Sequence, residues 1–147
     1  MEADHEAPVF ERGEIVLAAP PEVVWDTITD FRSWPQWMPG VRSVEIGEPV
    51  RVGTRFKWKA GAGAITSEIV ESERPARVAW KGRTFGIDAV HVWSIEADSQ
   101  GSRVVTEESW AGPLPRALRG LMRKTVRKAL DDGRAALKAE AERRAHP

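Results

Sequence analysis

One change of pattern along the chain constrains its fold more than any other feature. From residue 41 to residue 112, apolar and polar residues alternate, as they do in "RFKWKA". This period of two is typical of β-strands with one buried face. From Pro113 onward, the apolar residues instead follow the spacing of one helix face. We therefore predict about six antiparallel strands, followed by one long helix that ends near Ala145.

The segments before residue 41 add one strand and short helices. "FERGEIVLAA", from Phe10, alternates like a strand, and "PPEVVWDTITDF" has its prolines at the start, where a helix tolerates them. A sheet with one apolar face needs a cover, and the terminal helix is the only predicted element long enough to lie across it. We therefore predict an α+β domain in which four helix residues face the sheet: Leu118, Met122, Val126 and Leu130.

The composition excludes several classes of protein. The chain has 147 residues, which suits one domain, and its 41% hydrophobic and 30% charged residues are typical of globular proteins. The formal net charge is zero, so no global field attracts nucleic acid, and we expect no nucleic-acid partner. The sequence contains no cysteine, which excludes disulfides, thiol catalysis and thiolate metal sites.

The apolar runs and the N-terminal segment bear on location. No apolar run approaches the roughly 18 residues that a membrane-spanning helix needs, so we expect no stable membrane insertion. The start, "MEADHEAPVF", is acidic and lacks the apolar core of a signal peptide. We expect a cytoplasmic protein with a flexible tail over residues 1–8 and a single domain over residues 9–147. Nothing in the sequence specifies the oligomeric state.

The last predicted hairpin places a histidine beside a carboxylate. If "DSQG", residues 98–101, forms its turn, the facing pairs include Trp93 with Thr106 and His91 with Glu108. This register gathers apolar side chains on one face, whereas a slip by one residue in either strand would separate them. His91 and Glu108 are then cross-strand neighbours on the apolar face, with Cβ atoms about 4.5–5.5 Å apart.

Two interpretations of this pair are open. The pair is a proton-transfer unit, since His91 is the only histidine away from the termini and a neighbouring carboxylate favours its charged form. Alternatively, it is a buried polar pair that satisfies itself or orients a ligand without chemistry. We expect no metal ion and no other cofactor, because His5 and His146 lie near the termini and no third ligand has a helpful spacing.

Aromatic residues are candidates both for the core and for ligand contact. The sequence has seven Trp, and for those on predicted inner faces, core packing and ligand contact are equally open. The stretch "DFRSWPQWMPG", residues 30–40, carries more apolar surface than an ordinary loop, so we expect it to cover an opening. The candidate ligand-binding residues are Trp34, Trp37, Met38, Phe56, Trp58, Ser67, Trp80, Trp93, Thr106, Trp110, Leu118, Met122 and Val126.

A run of basic residues lies in the first half of the predicted long helix. Six Lys and Arg residues fall between Pro113 and Leu130, with no acidic residue among them. One interpretation is the solvent-exposed face of the helix, and the other is a patch for anionic lipid headgroups or nucleic acid. Aromatic residues do not interleave with the run, which weakens the nucleic-acid interpretation.

The order of elements, together with "PPEVVWDTITDFRSWPQWMPGVRSVE", "HVWSIE" and "GSRVVTEESWAG", resembles the START-like or SRPBCC superfamily, and within it the polyketide cyclase/dehydrase group. The resemblance covers roughly Phe10 to Ala145. It implies a helix-grip fold: a seven-stranded curved antiparallel sheet wrapped around a long C-terminal helix, with two short helices after the first strand. It also implies a deep cavity for apolar ligands, one end of which is closed by a gate of Trp34, Trp37 and Met38.

The resemblance specifies the fold better than the activity, because this scaffold carries several functions. We expect a carrier or sensor that binds a small apolar molecule of the lipid, polyketide or isoprenoid type. The first alternative is an aromatase/cyclase-type enzyme that uses His91 and Glu108 for proton transfer, and the second is a protein-partner module. The chain has no Tyr, so in the enzyme the hydroxyl groups of Thr106 and Ser67 would assist the pair.

Overall fold

The computed structural model describes residues 2–47, 49–61 and 63–147. Within these residues, seven strands form one antiparallel sheet in the order β1-β7-β6-β5-β4-β3-β2. This arrangement, with a long C-terminal helix, confirms the predicted α+β class. The strands are β1 (Val9–Leu17), β2 (Val41–Ile46), β3 (Arg55–Ala60), β4 (Gly63–Glu73), β5 (Arg77–Thr84), β6 (Ile87–Asp98) and β7 (Gly101–Ala111).

The described part of the chain also forms four α-helices. Pro21 stands at the start of the first one, where its missing amide hydrogen would have had no helical partner. A short 3₁₀ helix over Phe31–Ser33 joins the first helix to the second. The helices are α1 (Pro21–Thr29), α2 (Trp34–Trp37), α3 (Pro113–Ala117) and α4 (Arg119–Ala145).

The predicted single helix from residue 113 is interrupted once, near its start. At Leu118 the backbone leaves the helical region, with φ of −124° and ψ of 44°, and this separates α3 from α4. Gly120 favours the break, since glycine costs about 1 kcal/mol relative to alanine inside a helix. The prediction of one continuous helix is therefore wrong at this point, whereas α4 runs without a break through Gly133.

The hairpin of β6 and β7 has the predicted register. His91 faces Glu108 and Trp93 faces Thr106, as the "DSQG" turn implied. Gly101 begins β7 with φ of 142°, and a Cβ atom there would lie 2.5 Å from the carbonyl oxygen of Leu17. Glycine is therefore required where the hairpin closes against the end of β1.

Four aromatic rings fill the core between the sheet, α1 and α2. Phe31, Trp34, Phe56 and Trp80 have ring centroids 4.7–6.1 Å apart, and all four side chains are buried. Trp34 Nε1 donates a hydrogen bond to the carbonyl oxygen of Ile28, at 3.0 Å. Since the indole N–H is satisfied by the backbone, Trp34 is a fully integrated core residue.

The outer face of the sheet carries a smaller apolar cluster. Ala79 and Val92 are buried there, and Ala3 packs on them with 3% of its surface exposed. The backbone N–H of Asp4 donates to Ser109 Oγ at 3.1 Å. Part of the segment that we expected to be a flexible tail, residues 1–8, is therefore packed on the sheet, because β5 and β6 present apolar side chains on this face too.

Helix α4 runs along β1 and α1 rather than over the middle of the sheet. Leu137 and Ala141, in its C-terminal half, are completely buried in the main core. Val126 and Leu130 pack on Val9 at the other end of β1. The first half of the helix thus contacts the edge of the sheet and leaves the inner faces of β5 and β6 less covered.

The predicted sheet-facing residues of the terminal helix divide into two groups. Val126 and Leu130 are buried, and Met122 is partly buried beside them. Leu118 is 42% exposed, so its predicted placement is wrong, because it lies at the break between α3 and α4. Among the residues that the structure describes, no helix has the length and apolar character needed to cross a membrane.

Candidate functional site

The strand register brings polar side chains together on the inner face of the sheet. Glu11 of β1 faces Glu108 of β7, which faces His91 of β6. Thr106 lies two residues before Glu108 on the same strand and therefore points to the same side. We name His91, Thr106 and Glu108 the polar centre. The tertiary contacts place apolar side chains of α4, such as Val126 and Leu130, near one end of this row.

His91 is held by a hydroxyl group and two aromatic rings. Its Nε2 atom lies 2.9 Å from Thr106 Oγ1, at hydrogen-bond distance. Its ring stacks on that of Trp93 with centroids 5.1 Å apart, and the Trp80 ring lies at the same distance on a tilt. Burial lowers the pKa of His91 to about 3, because desolvation disfavours the imidazolium. His91 is therefore neutral at pH 7.

Glu108 is a carboxyl group in an apolar setting with one hydrogen bond. Its Oε1 atom accepts a hydrogen bond from Trp110 Nε1 at 3.2 Å. Burial raises the pKa of Glu108 to about 7, while the Trp110 hydrogen bond acts in the opposite direction. Near neutral pH this carboxyl group therefore exists in both protonation states.

The predicted His91–Glu108 pair is present as a cross-strand pair, but each side chain hydrogen-bonds to a different group. His91 contacts Thr106, its diagonal neighbour, and Glu108 contacts Trp110 on its own strand. The depressed pKa of His91 fits this arrangement, because burial dominates over any stabilisation of the imidazolium by Glu108. The pair therefore presents a neutral imidazole and a protonatable carboxyl to the same space.

Small residues lie beside the polar centre on the inner face. Ser67, Gly82 and Ala89 are direct neighbours on β4, β5 and β6, in the row next to that of His91. Gly82 and Ala89 keep part of their surface exposed although they lie on the inner face, because α4 follows the β1 side of the sheet. We name this partly exposed part of the inner face, at Gly82 and Ala89, the inner trough; Ser67 Oγ borders it, 2.7 Å from where a Cβ atom of Gly82 would stand. It adjoins both His91 and Trp110.

Charged side chains close the β1 side of the site. Glu11 accepts a hydrogen bond from Arg127 Nη2 at 3.0 Å, and Arg123 Nε lies 3.9 Å from the same carboxylate. Further along β1, the guanidinium of Arg134 occupies the position where a Cβ atom of Gly13 would be. Arg134 also forms an ion pair with Asp131, one turn earlier on α4.

Sequence reasoning missed Arg134 and Gly13 as parts of this region. The available signal was a glycine inside an alternating strand, which often marks the close approach of another group. Gly13 faces Thr106 across β1 and β7, so the Arg134 guanidinium lies in the row next to that of Glu108. A long cation from the helix thus reaches the inner face of the sheet close to the polar centre.

Three of the predicted ligand contacts lie inside the filled core. Trp34, Phe56 and Trp80 are each at most 3% exposed and pack on one another. The exposed apolar surface that a gate requires is therefore not found at Trp34, because α2 turns this indole inward onto Ile28. Trp34 is therefore not an exposed gate residue in this structure, and ligand contact by these three residues stays a prediction.

Other predicted residues surround the inner trough or the gate region. Trp37 and Met38 are partly buried against the main core. Trp58 is also partly buried, and its Nε1 atom donates to Ser67 Oγ at 3.0 Å. Trp110 and Met122 form a second apolar cluster with Val9, Val126 and Leu130 beside Glu108. Residues brought close to the inner trough are therefore His91, Glu108, Ser67, Trp110 and, from α4, Met122 and Val126.

One buried donor on the inner face lacks a partner. Trp93 is 2% exposed, and its Nε1–H group makes no hydrogen bond within the described part of the chain. Trp93 faces Thr106 across β6 and β7, so this donor belongs to the polar region of the sheet. An unpaired buried N–H is costly, and an acceptor from a ligand or a water molecule would relieve that cost.

Among residues 2–47, 49–61 and 63–147, the acidic and histidine side chains form no group of three that could hold an ion. The functional groups of the region are instead a neutral imidazole, a threonine hydroxyl, a carboxyl of raised pKa and indole N–H donors. Such groups bind or transfer protons to and from organic molecules.

The sequence matches one protein family over most of its length. The match covers residues 12–142, and the family is described as polyketide cyclase / dehydrase and lipid transport. Among curated proteins, none matches the sequence. The matched region contains the polar centre, the inner trough and nearly all of α4.

Solved structures share the architecture at low sequence identity. The hypothetical protein jhp0584 from Helicobacter pylori has a TM-score of 0.82 and 20% identity, over 93% of this chain and 90% of that one. The ZhuI aromatase/cyclase from Streptomyces sp. R1128 has a TM-score of 0.81 and 17% identity, over 92% and 94%. Ara h 8.0201 has a TM-score of 0.67 and 16% identity, over 90% and 96%. These likenesses establish the helix-grip fold.

Proposed function

Because the chain belongs to the polyketide cyclase / dehydrase and lipid transport family, we propose that it binds a small apolar molecule in the inner trough, as a carrier or sensor. The observation that carries this proposal is the polar centre, three hydrogen-bonding side chains beside small residues and aromatic rings on the inner face of the sheet. Sites of this kind hold the body of a ligand by burying apolar surface and orient it through a few polar groups.

The protonation states favour an uncharged polar group on the ligand, such as a carbonyl or hydroxyl. His91 is neutral at pH 7 because burial lowers its pKa to about 3. Glu108, whose pKa burial raises to about 7, donates a hydrogen bond in its protonated form and accepts one when ionised. A ligand with an apolar body and one such group, of the lipid, polyketide or isoprenoid type, matches this chemistry.

Native mass spectrometry of the purified protein, followed by calorimetric titration, tests the proposal. We expect a co-purifying small molecule, and binding of a long-chain fatty acid or an aromatic polyketide as a probe. Ala89→Leu should fill the inner trough and abolish binding. Ala97→Leu, at an exposed position of the same strand, is the matched control and should bind like the parent. Unchanged affinity in a folded Ala89→Leu variant would contradict the proposal.

One observation favours a second candidate function, an aromatase/cyclase-type enzyme. A carboxyl group whose pKa lies near 7 can both accept and donate a proton at neutral pH, and Glu108 has this property beside His91. In such an enzyme, the Glu108 carboxylate would take a proton from the carbon next to a carbonyl during aldol closure and return it to the departing hydroxyl as water leaves, while the neutral imidazole of His91 would hydrogen-bond to the reacting molecule.

Matched variants separate the two functions. Removing a general acid or base costs about 10²–10⁴ in rate, whereas removing one orienting hydrogen bond changes affinity by about 0.5–1.5 kcal/mol. His91→Gln and Glu108→Gln are therefore compared with the parent for binding and for turnover of an aromatic polyketide precursor. If both variants lose turnover but still bind the precursor, the result supports the enzyme hypothesis. Tight binding without product in all three proteins supports the carrier.

A further inference from the structure

One end of the molecule carries exposed apolar side chains that the proposed ligand site does not use. Phe85, at the turn between β5 and β6, is 90% exposed, and Leu118 and Leu121 are 42% and 61% exposed. The turn and α3 are in contact, since the carbonyl oxygen of Gly86 accepts a hydrogen bond from Leu114 N at 3.3 Å. A depression of about 400 Å³ lies between them. We name Phe85, Leu118 and Leu121 the apolar tip.

The segment that carries Leu118 and Leu121 also carries exposed basic side chains for which the described residues supply no carboxylate partner. Between Pro113 and Leu130 the sequence has six basic residues and no acidic one. Half of them contact carboxylates outside this run: Arg123 and Arg127 contact Glu11, and Lys128 contacts Asp132. Within the described residues, no carboxylate pairs with the other three, which are exposed and which we name the basic rim: Arg116, Arg119 and Lys124.

We propose that the apolar tip and the basic rim dock the protein reversibly on the surface of an anionic lipid membrane. Phe and Leu side chains enter the boundary between headgroups and acyl chains, and Lys and Arg are attracted to anionic headgroups. The protein has a formal net charge of zero, so this attraction comes from the local arrangement of charge rather than from a global field.

The side chains of the apolar tip and the basic rim favour binding to a lipid surface over binding to a nucleic acid. Nucleic-acid surfaces combine cations with several aromatic rings on which bases stack. Among the residues that the structure describes, the strongly exposed aromatic side chain is Phe85, at the end of a hairpin, and the other exposed apolar side chains of the tip are leucines. A projecting tip suits partial insertion into a lipid interface.

The apolar tip lies close to the inner trough, which connects membrane docking with ligand exchange. This step rests on the proposed function. Gly82 and Ala89, which form the inner trough, face each other only two residue pairs before the turn that carries Phe85. Most residues of α4 between Arg119 and Thr125 are exposed, so this end of the trough is the less covered one. A docked protein would hold the trough close to the lipid surface.

Vesicle co-sedimentation of the full chain tests the docking proposal without any ligand. We expect binding to vesicles of equal parts phosphatidylcholine and phosphatidylglycerol, and little binding to phosphatidylcholine alone. Binding should be lost at about 1 M salt, where the Debye length falls to about 3 Å. Equal binding to both vesicle types, or no binding to the anionic vesicles at low salt, would overturn the proposal.

Substitutions at exposed positions identify the surface that binds. Arg119→Gln should weaken vesicle binding about fivefold, the effect of one cation near an anionic surface. Phe85→Ser should weaken it about tenfold through the loss of buried apolar surface. The matched controls lie elsewhere: Lys57→Gln on the outer face of β3, and Val52→Ser, which is 59% exposed before β3. Both controls should bind vesicles like the parent.

Further outcomes distinguish this proposal from its competitors. Equal losses in the control variants would mean general attraction to the vesicles and would overturn the proposed surface. Displacement from vesicles by a short oligonucleotide, with Phe85→Ser binding that oligonucleotide like the parent, would indicate a nucleic-acid site instead. Ala89→Leu should bind vesicles normally, so failure of the ligand proposal and failure of the docking proposal are separate results.

Discussion

Two facing residues with opposite pKa shifts define the chemistry of the inner face. Burial lowers the pKa of His91 to about 3 and raises that of Glu108 to about 7. Both shifts favour the uncharged form, as expected where desolvation outweighs the attraction between an imidazolium and a carboxylate. The polar centre therefore offers hydrogen bonds without a permanent charge, which suits an apolar ligand with a neutral polar group.

The raised pKa of Glu108 predicts a pH-dependent contribution to stability. The folded state binds this proton more tightly than the unfolded state, whose glutamate has an ordinary pKa of 4.5. The stabilisation is therefore complete below pH 4.5 and is lost as the pH rises towards 7, by at most about 3 kcal/mol. Glu108→Gln removes this dependence, so the variant should gain stability relative to the parent over the same interval.

Urea unfolding of parent and Glu108→Gln between pH 4.5 and 8 measures this difference. His91 has the opposite effect in the parent, because its unfolded form takes up a proton as the pH falls below 6.5 and costs stability. His91 is present in both proteins, so its contribution cancels in the comparison. A stability difference that is the same at pH 5 and pH 8 would show that Glu108 is not held in a desolvating environment.

Cross-strand pairing at this site was predictable from sequence, whereas the side-chain hydrogen bonds were not. A two-residue turn and alternating apolar residues allow one register, and that register placed His91 opposite Glu108. Which partner each side chain chooses depends on rotamers, and His91 turns to Thr106 instead. Arg134 was missed for a related reason, since nothing in the spacing of α4 shows which strand its guanidinium reaches.

At the scale of elements, the two halves of α4 differ in how they are held. The C-terminal half buries Leu137 and Ala141 in the main core, and Val126 and Leu130 form a second anchor on β1. Before Val126, the side chains are exposed or only partly buried. The helical periodicity predicted the burial of Val126, Leu130 and Leu137, but it did not predict the break at Leu118, whose side chain is exposed.

This division predicts opposite results for one substitution at two helix positions. Val126→Asp buries an unpaired carboxylate at a site with no exposed surface and should cost about 3–5 kcal/mol. Leu121→Asp, at a position that is 61% exposed, should change stability by no more than about 0.5 kcal/mol. Urea titrations followed by circular dichroism compare the two. Similar losses in both variants would show that the first turns of α4 are packed.

For the segment before β2, the sequence predicted the position of the element but not the packing of Trp34. Its prolines and tryptophans indicated an apolar cover over an opening, and the segment does lie over the sheet. Its most buried member, Trp34, is part of the core rather than an exposed gate. Composition shows that a loop is too apolar for solvent, but only the packed structure shows whether its rings close a hole or fill one.

For the molecule as a whole, the order of elements predicted the α+β class. One strand, short helices, a meander and a terminal helix leave few ways to cover one apolar sheet face, and the family resemblance specified the helix-grip arrangement. The lateral position of α4 was not predictable, because periodicity identifies the buried face of a helix and not the strand on which it rests. That position creates the inner trough, since α4 lies near β1 and leaves Gly82 and Ala89 partly exposed.

The two ends of the molecule should therefore differ in local stability. Near α2 the core is filled by aromatic rings, and Arg144 of α4 pairs with Asp30 at 3.2 Å. At the other end, residues 119–125 have few buried contacts, so their helical hydrogen bonds should open with less free energy than those of residues 133–141. Hydrogen–deuterium exchange should show at least about tenfold faster exchange in the first segment, corresponding to about 1.4 kcal/mol. Anionic vesicles should slow exchange in that segment and leave residues 133–141 unchanged. Uniform protection along α4 would mean that both ends are equally closed, and the trough would then lack the less covered end from which a ligand is expected to enter.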